Sequence, residues 1–259
     1  INAEYGQWYQ RRVRGTHLMS TEKAQPPKDF EPCEKIVVPQ KVYYRRGSLH
    51  TIAREISTEK CALFANNSDL DVMKMVETEM SCIPTLKRSY PIFIDDSNHQ
   101  TAKMNIQSIL PSVDTVVAIG SFKLFNELAQ QLDKNVKQLV LVPTDGKPLA
   151  LMTGTFVDED GKIQHNEKLI PEIVVLDSGL THNITKADTE MLAQIAKVEE
   201  DTQWVQFTKT AQNLAADLIA GYGKIDMPVW CERATNLVGI TMLGKPNGER
   251  VVKALGLAQ

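Results

Sequence analysis

The sequence alternates short, continuously apolar runs with stretches in which apolar residues return every three or four positions. The runs IVV at 36–38, KVYY at 41–44, CALFA at 61–65, YPIFI at 90–94, TVVAI at 115–119, QLVLV at 138–142 and EIVVL at 172–176 predict strands. Between them, 48–57 (with Ser48 as N-cap), 69–82, 101–112 and 122–132 predict helices. Strands alternating with helices argue for a parallel sheet, and fully apolar runs fit strands buried on both faces. Pro39, between IVV and KVYY, marks an edge or a break. The segments 150–157 and 162–169, joined by Glu159-Asp160-Gly161, predict a two-stranded ribbon. After Asp177 only helical patterns follow, at 187–201, 210–223 and 232–243. The predicted fold is therefore α/β: a Rossmann-like domain over 35–180, its parallel sheet covered by helices on both faces, and a small all-α domain over 181–259.

Composition narrows the functional class. The 259 residues are 42% hydrophobic and 6% aromatic, with a formal net charge of −3. Mixed signs without a basic face argue against nucleic-acid or membrane-surface binding. No apolar run approaches the ~18 residues of a membrane-spanning helix, and no signal-peptide pattern opens the chain. Cys33, Cys61, Cys82 and Cys231 never form CxxC, so zinc is poorly supported and a reducing, cytoplasmic setting is expected. Residues 1–18, whose RGTHL runs into Met19, read as a vector-derived tail, and the proline-rich stretch 19–34 reads as a loose lead-in.

The stretch TVVAIGSFKLFNELAQQL at 115–132 has the outline of a nucleotide site: buried strand, glycine, serine, amphipathic helix. Glycines in such turns let backbone N–H groups approach a pyrophosphate, and the helix N-terminus adds a favourable dipole. Here only Gly120 lacks a side chain, while Ala118 and Ile119 stand where a phosphate would come close. Taken alone, the spacing reads as a structural strand-to-helix turn, and Leu124, Phe125, Leu128 and Leu132 read as core.

The segments VPQKVYYRRGSL, CALFANNSDL, DTVVAIGS and LIPEIVVLDSGL, taken in order, add a resemblance. They resemble the iron-containing alcohol dehydrogenase family, and within it the alcohol dehydrogenase part of the bifunctional aldehyde–alcohol dehydrogenases. The resemblance covers residues 35–245. It implies a dehydroquinate-synthase-like architecture and hydride transfer between an alcohol and NAD or NADP, assisted by iron or zinc. It also implies cofactor-binding positions. Gly120 and Ser121 fall on the family's Gly-Gly-Gly-Ser turn, and Asn67 falls where an acidic residue meets the adenine ribose. Thr144 falls in the loop that replaces TTxGTGSE, and Lys162 on a lysine that follows the ribbon turn.

The chain departs from the family where the chemistry sits. The glycine triplet becomes Ala118-Ile119-Gly120, the TTxGTGSE loop becomes PTDGKP at 143–148, and an acidic helix position falls near Leu124. The family's metal-ligand aspartate and first histidine fall on Ile195 and Glu199, and none of His17, His50, His99, His165 and His182 lies at a ligand position. The expectation is a degenerate, non-catalytic relative with an interaction or regulatory role. It would have no catalytic residues, no metal and an open cofactor question, NAD or NADP if any. Its shortened helical domain would leave apolar surface to be covered by self-association or a protein partner. Two alternatives stand beside this reading. One is an NAD(P)-dependent dehydrogenase with a metal site relocated to Asp188, Glu190, Glu199 or His182. The other is a nucleotide- or phosphate-binding module that uses Gly120 and Ser121 without turnover. Asp95, Asp96, His165 and the acidic run Glu199, Glu200 and Asp201 have solvated loop or surface readings by default.

Overall fold

A strand covered on both faces needs apolar residues at every position, and the runs at 61–65, 115–119, 138–142 and 173–176 become strands of that kind. The structure, a computed structural model, describes residues 39–94, 98–132, 136–145, 154–180, 184–195 and 205–243. The expected tail, the lead-in, the IVV run, residues 150–153 of the ribbon, Asp95, Asp96, His182, Glu199, Glu200, Asp201 and 244–259 lie outside the described residues.

The first strands are β1 (Lys41–Tyr44), β2 (Lys60–Asn66), β3 (Arg88–Ile94), β4 (Thr115–Gly120) and β5 (Gln138–Pro143). The short strands β6 (Thr155–Val157) and β7 (Ile163–His165) form an antiparallel ribbon, and β8 (Ile173–Leu176) returns to the main sheet. That sheet has the order β1-β8-β5-β4-β2-β3 and is parallel throughout. Pro91 is tolerated in β3 because β3 is an edge strand, paired with β2 alone.

The helices are α1 (Ile52–Glu55), α2 (Leu70–Met80), α3 (His99–Ile109), α4 (Phe122–Gln131), α5 (Lys186–Ile195), α6 (Val205–Gly221) and α7 (Met227–Leu243). Alternation along the strands sorts them onto two faces. Phe64, Ala118, Leu141 and Val174 point into one apolar cluster with α3, α4, α6 and α7. Leu63, Ile119, Val142 and Val175 point into the other, with α1 and α2. Among the described residues no helix is long and apolar enough to cross a membrane.

The helical segment joins the sheet through α7. Trp230 is buried among α6 and α7, and its Nε1 donates to the Leu218 carbonyl at 3.0 Å. Gly239 of α7 rests on the ring of Tyr44 in β1, where an added Cβ would meet Tyr44 Cγ at 2.6 Å.

The expected helix at 48–57 is corrected. Ser48 is not an N-cap. It opens a single 3-10 turn, Ser48–Thr51, whose N-cap is Gly47 at φ 82°, and α1 adds only one further turn. The Ser48 hydroxyl instead accepts the Arg45 N–H at 2.7 Å, closing the turn that leaves β1. Gly47 supplies the left-handed backbone that this sharp turn requires.

Because the Gly239 contact leaves no room for a side chain, Gly239→Val is expected to destabilise the fold by about 1–3 kcal/mol through overpacking. Urea unfolding measures it. Tyr44→Ala in the same chain should recover part of the loss, and strictly additive effects would mean that the two residues do not meet.

Candidate functional site

In an open α/β sheet, a ligand crevice forms beyond the carboxyl ends of two neighbouring strands whose outgoing connections run to opposite sides. Here those strands are β2 and β4. From β2 the chain passes through α2 to β3 on one side, and from β4 through α4 to β5 on the other. Because α2 and α4 cover opposite faces, the two segments leave in opposite directions. The β2–β4 pairing ends at Ala65 and Ile119, one residue before either strand ends, and the crevice opens there.

Two sets of residues line the opening. From β2 come the buried Asn66 and a 3-10 turn, Asn67–Asp69. From β4 come Gly120 and Ser121, the latter the N-cap of α4. The single glycine now has a physical account. Ala118 and Ile119 pair with β2 on one side and β5 on the other, so their peptide groups are committed to the sheet and unavailable to a phosphate. Gly120 is the first residue beyond the β2 ladder, and its φ of 140° favours glycine. A Cβ there would also lie 3.0 Å from Asp69 Oδ2 and 3.4 Å from Leu124 Cδ2.

The sequence-derived positions fall in two places. Gly120 and Ser121 lie in the crevice, with Asn66 Nδ2 3.5 Å from Ser121 Oγ. Thr144, buried just after β5, joins them by donating its N–H to the Gly120 carbonyl at 2.9 Å. Asn67 is exposed on the turn that leaves β2. Lys162 lies in the ribbon turn, its Nζ 3.7 Å from Asp160 Oδ2 and its backbone N–H donating to Asp158 Oδ1 at 2.8 Å. The ribbon is held to α4 by Asn126, whose amide accepts the Val157 N–H at 2.8 Å and donates to the Val157 carbonyl at 2.9 Å. Its own turn is the expected Glu159-Asp160-Gly161, with Gly161 at φ 78°.

Asp69 escaped the sequence reading. It is only 8% exposed, Ser68 Oγ donates to its Oδ2 at 3.1 Å, and its carboxylate approaches Gly120 from the other strand. An acid that ends a run of Asn-Asn-Ser reads as an ordinary turn residue, and only the juxtaposition of β2 and β4 gives it this setting.

Other polar groups have structural tasks. Asp177, buried after β8, accepts N–H bonds from Gly47 and Leu49 at 3.0 Å each and from Gly179 at 2.9 Å, tying the β1 turn to β8. Asp188 Oδ2 accepts the Thr185 N–H and hydroxyl, both at 2.8 Å, while the Asp188 N–H donates to Thr185 Oγ1 at 3.2 Å. That reciprocal cap starts α5 and uses the carboxylate locally. Glu190 lies 3.7 Å from Lys186 on the same helix. Among the described residues, no three His, Cys, Asp or Glu side chains are placed to hold one metal ion. Exposed His50 pairs with Glu79 at 2.7 Å. His165 is exposed in β7, its Nδ1 3.5 Å from Thr155 Oγ1. Burial pushes the Cys61 thiol up to about 12, which leaves it protonated at neutral pH.

Three substitutions at two positions follow from this geometry. Gly120→Ala is expected to cost about 1–3 kcal/mol from backbone strain alone, read as a lower urea midpoint. Asp177→Ala should cost about 3 kcal/mol by stranding backbone donors. Asp177→Asn, which keeps an acceptor oxygen, should cost less, and equal losses for the two would deny the carboxylate its tying role.

No protein-family model matches the sequence, and no curated protein matches it. Solved structures do match in fold. An iron-containing alcohol dehydrogenase from Thermococcus thioreducens superposes with a TM-score of 0.63 at 14% identity, over 81% of this chain and 67% of that one. A maleylacetate reductase from Rhizobium sp. gives 0.64 at 14% identity, over 84% and 67%. An iron-containing alcohol dehydrogenase from Corynebacterium glutamicum gives 0.57 at 16%, over 81% and 63%. The chain thus spans about two thirds of the length of these structures. Its six-stranded parallel sheet and flanking helices are the fold of the iron-containing alcohol dehydrogenases and maleylacetate reductases.

Proposed function

We propose that this chain is a non-catalytic relative of the iron-containing alcohol dehydrogenases, acting in the cytoplasm as an interaction or regulatory protein. The observation that carries the reading is the state of the glycine turn. In a dinucleotide site, free backbone N–H groups before the helix cradle the diphosphate. Here the peptide groups of Ala118 and Ile119 belong to the sheet, the Gly120 carbonyl accepts from Thr144, and a carboxylate lies against Gly120. These residues do not fit a dinucleotide diphosphate.

The metal half of the family's chemistry would lower the pKa of an alcohol so that an alkoxide forms near neutral pH. The two candidate ligands described here do not fit that task. Asp188 is held in the α5 cap, and Glu190 is paired along its own helix. The relocated-site alternative therefore loses these two carboxylates as readily available donors.

The interaction role draws support from the apolar surface around the turn between α6 and α7. Tyr222, Met227 and Val229 are 43%, 53% and 41% exposed, although Tyr222 stacks edge-on against the buried Trp230. A second copy or another protein is the expected cover for such a group.

Thermal unfolding with millimolar NAD⁺ or NADP⁺, each with and without Fe²⁺ or Zn²⁺, tests the reading. A ligand at ~100 times its Kd would stabilise the fold by about 2.7 kcal/mol; no shift is expected. Alcohol oxidation should stay at the buffer rate, and metal-stimulated turnover would reject the proposal. Light scattering over a range of concentrations addresses the cover, where a monomer at every concentration would rule out self-association.

A further inference from the structure

The crevice between β2 and β4 holds a buried acid whose side chain does not cap the helix it precedes. Asp69 and Ser121 are the N-caps of α2 and α4, and neither side chain caps its own helix. An aspartate at an N-cap normally accepts an N–H from its own first turn. Asp69 instead turns across the crevice, its Oδ2 3.0 Å from the place of a Gly120 Cβ, with Ser68 Oγ as a donor at 3.1 Å. It is 8% exposed, and no Lys, Arg or His among the described residues forms an ion pair with it.

A buried carboxylate without a cation needs another source of positive potential. Two helix starts border it: that of α2, which Asp69 itself precedes, and that of α4, whose first N–H groups lie just past Gly120 and receive no bond from the Ser121 side chain. That is also where a ligand's phosphate would be held in a fold of this topology. The Asp69 carboxylate thus stands against the turn that leads into that helix start.

We propose that Asp69 determines the specificity of the crevice: its carboxylate serves as a resident anion at the start of α4 and bars phosphate-bearing ligands. The proposal rests on the reading of the turn as a remodelled nucleotide site. It goes further in assigning the exclusion to one charge, while the lost glycines set the shape of the turn. Neutralising that charge should therefore admit a small diphosphate even though Ala118 and Ile119 remain.

The test is calorimetric titration of the full chain with inorganic pyrophosphate and, separately, ADP. The native protein is expected to give no saturable heat up to millimolar ligand. Asp69→Ser and the near-isosteric Asp69→Asn should bind pyrophosphate at least tenfold more tightly than the native limit. Asp71→Asn serves as control, since Asp71, two residues on, is 98% exposed and its removal changes net charge equally. It should leave binding unchanged.

Circular dichroism confirms that each variant is folded, and Asp69→Asn keeps the test open if the serine variant unfolds. Pyrophosphate binding by the native chain overturns the proposal. So does the absence of a gain in a folded Asp69 variant, or an equal gain with Asp71→Asn. Gain with pyrophosphate but not ADP keeps the exclusion with Asp69 and limits the opened site to the diphosphate. Because no step depends on alcohol or metal, an absent gain in the Asp69 variants, or an equal gain with Asp71→Asn, leaves the non-catalytic reading standing. Turnover in the dehydrogenase assay would sink that reading without deciding the role of Asp69.

Discussion

The fold depends on covering a parallel sheet on both faces. A parallel strand joins its neighbour through a crossover, and the crossover helices must share the two faces between them. In this chain the division is sharp: successive residues of β2, β4, β5 and β8 feed alternate apolar clusters. Once α2 is committed to one face and α4 to the other, the strands before them have to part. The crevice is therefore a product of topology, and it persists whatever residues line it.

Much of this was legible in the sequence because burial on two faces leaves an unmistakable trace. Runs such as Val116–Ile119 and Leu139–Val142 have no polar residue to turn outward, so their strand character and central position could be read directly. Pro91, which the pattern alone does not place, lies in β3 at the edge of the sheet. The segment around Ser48 was less legible. Its polar residues match an N-cap pattern, but the glycine before it takes the cap and the hydroxyl closes a different turn. Local pattern lost there to a long-range tie, since Gly47 and Leu49 are held by Asp177 more than a hundred residues later.

The site divides the same way. Gly120 and Ser121 could be located because a strand, a glycine and a helix follow one another in sequence. Asp69 could not, because its meaning arises between two strands that are not consecutive in the chain. Asp188 shows the converse. An acid beside other acids suggests a metal ligand on paper, yet three residues earlier stands Thr185, and the pair completes a helix cap. Residue type and spacing name the candidates; which electrostatic demand reaches each carboxylate first decides its role.

The contact between Gly239 and Tyr44 constrains how the helical segment can move. With no Cβ between them, the backbone of α7 lies directly on an aromatic ring of the edge strand. Sliding α7 by one turn would set Thr235 where Gly239 now sits and drive a side chain into the ring. Displacement along the helix axis is thus blocked, whereas rocking about the ring preserves the contact. Any opening of the segment next to the sheet would accordingly be a hinge pivoting on Tyr44, not a shear along β1.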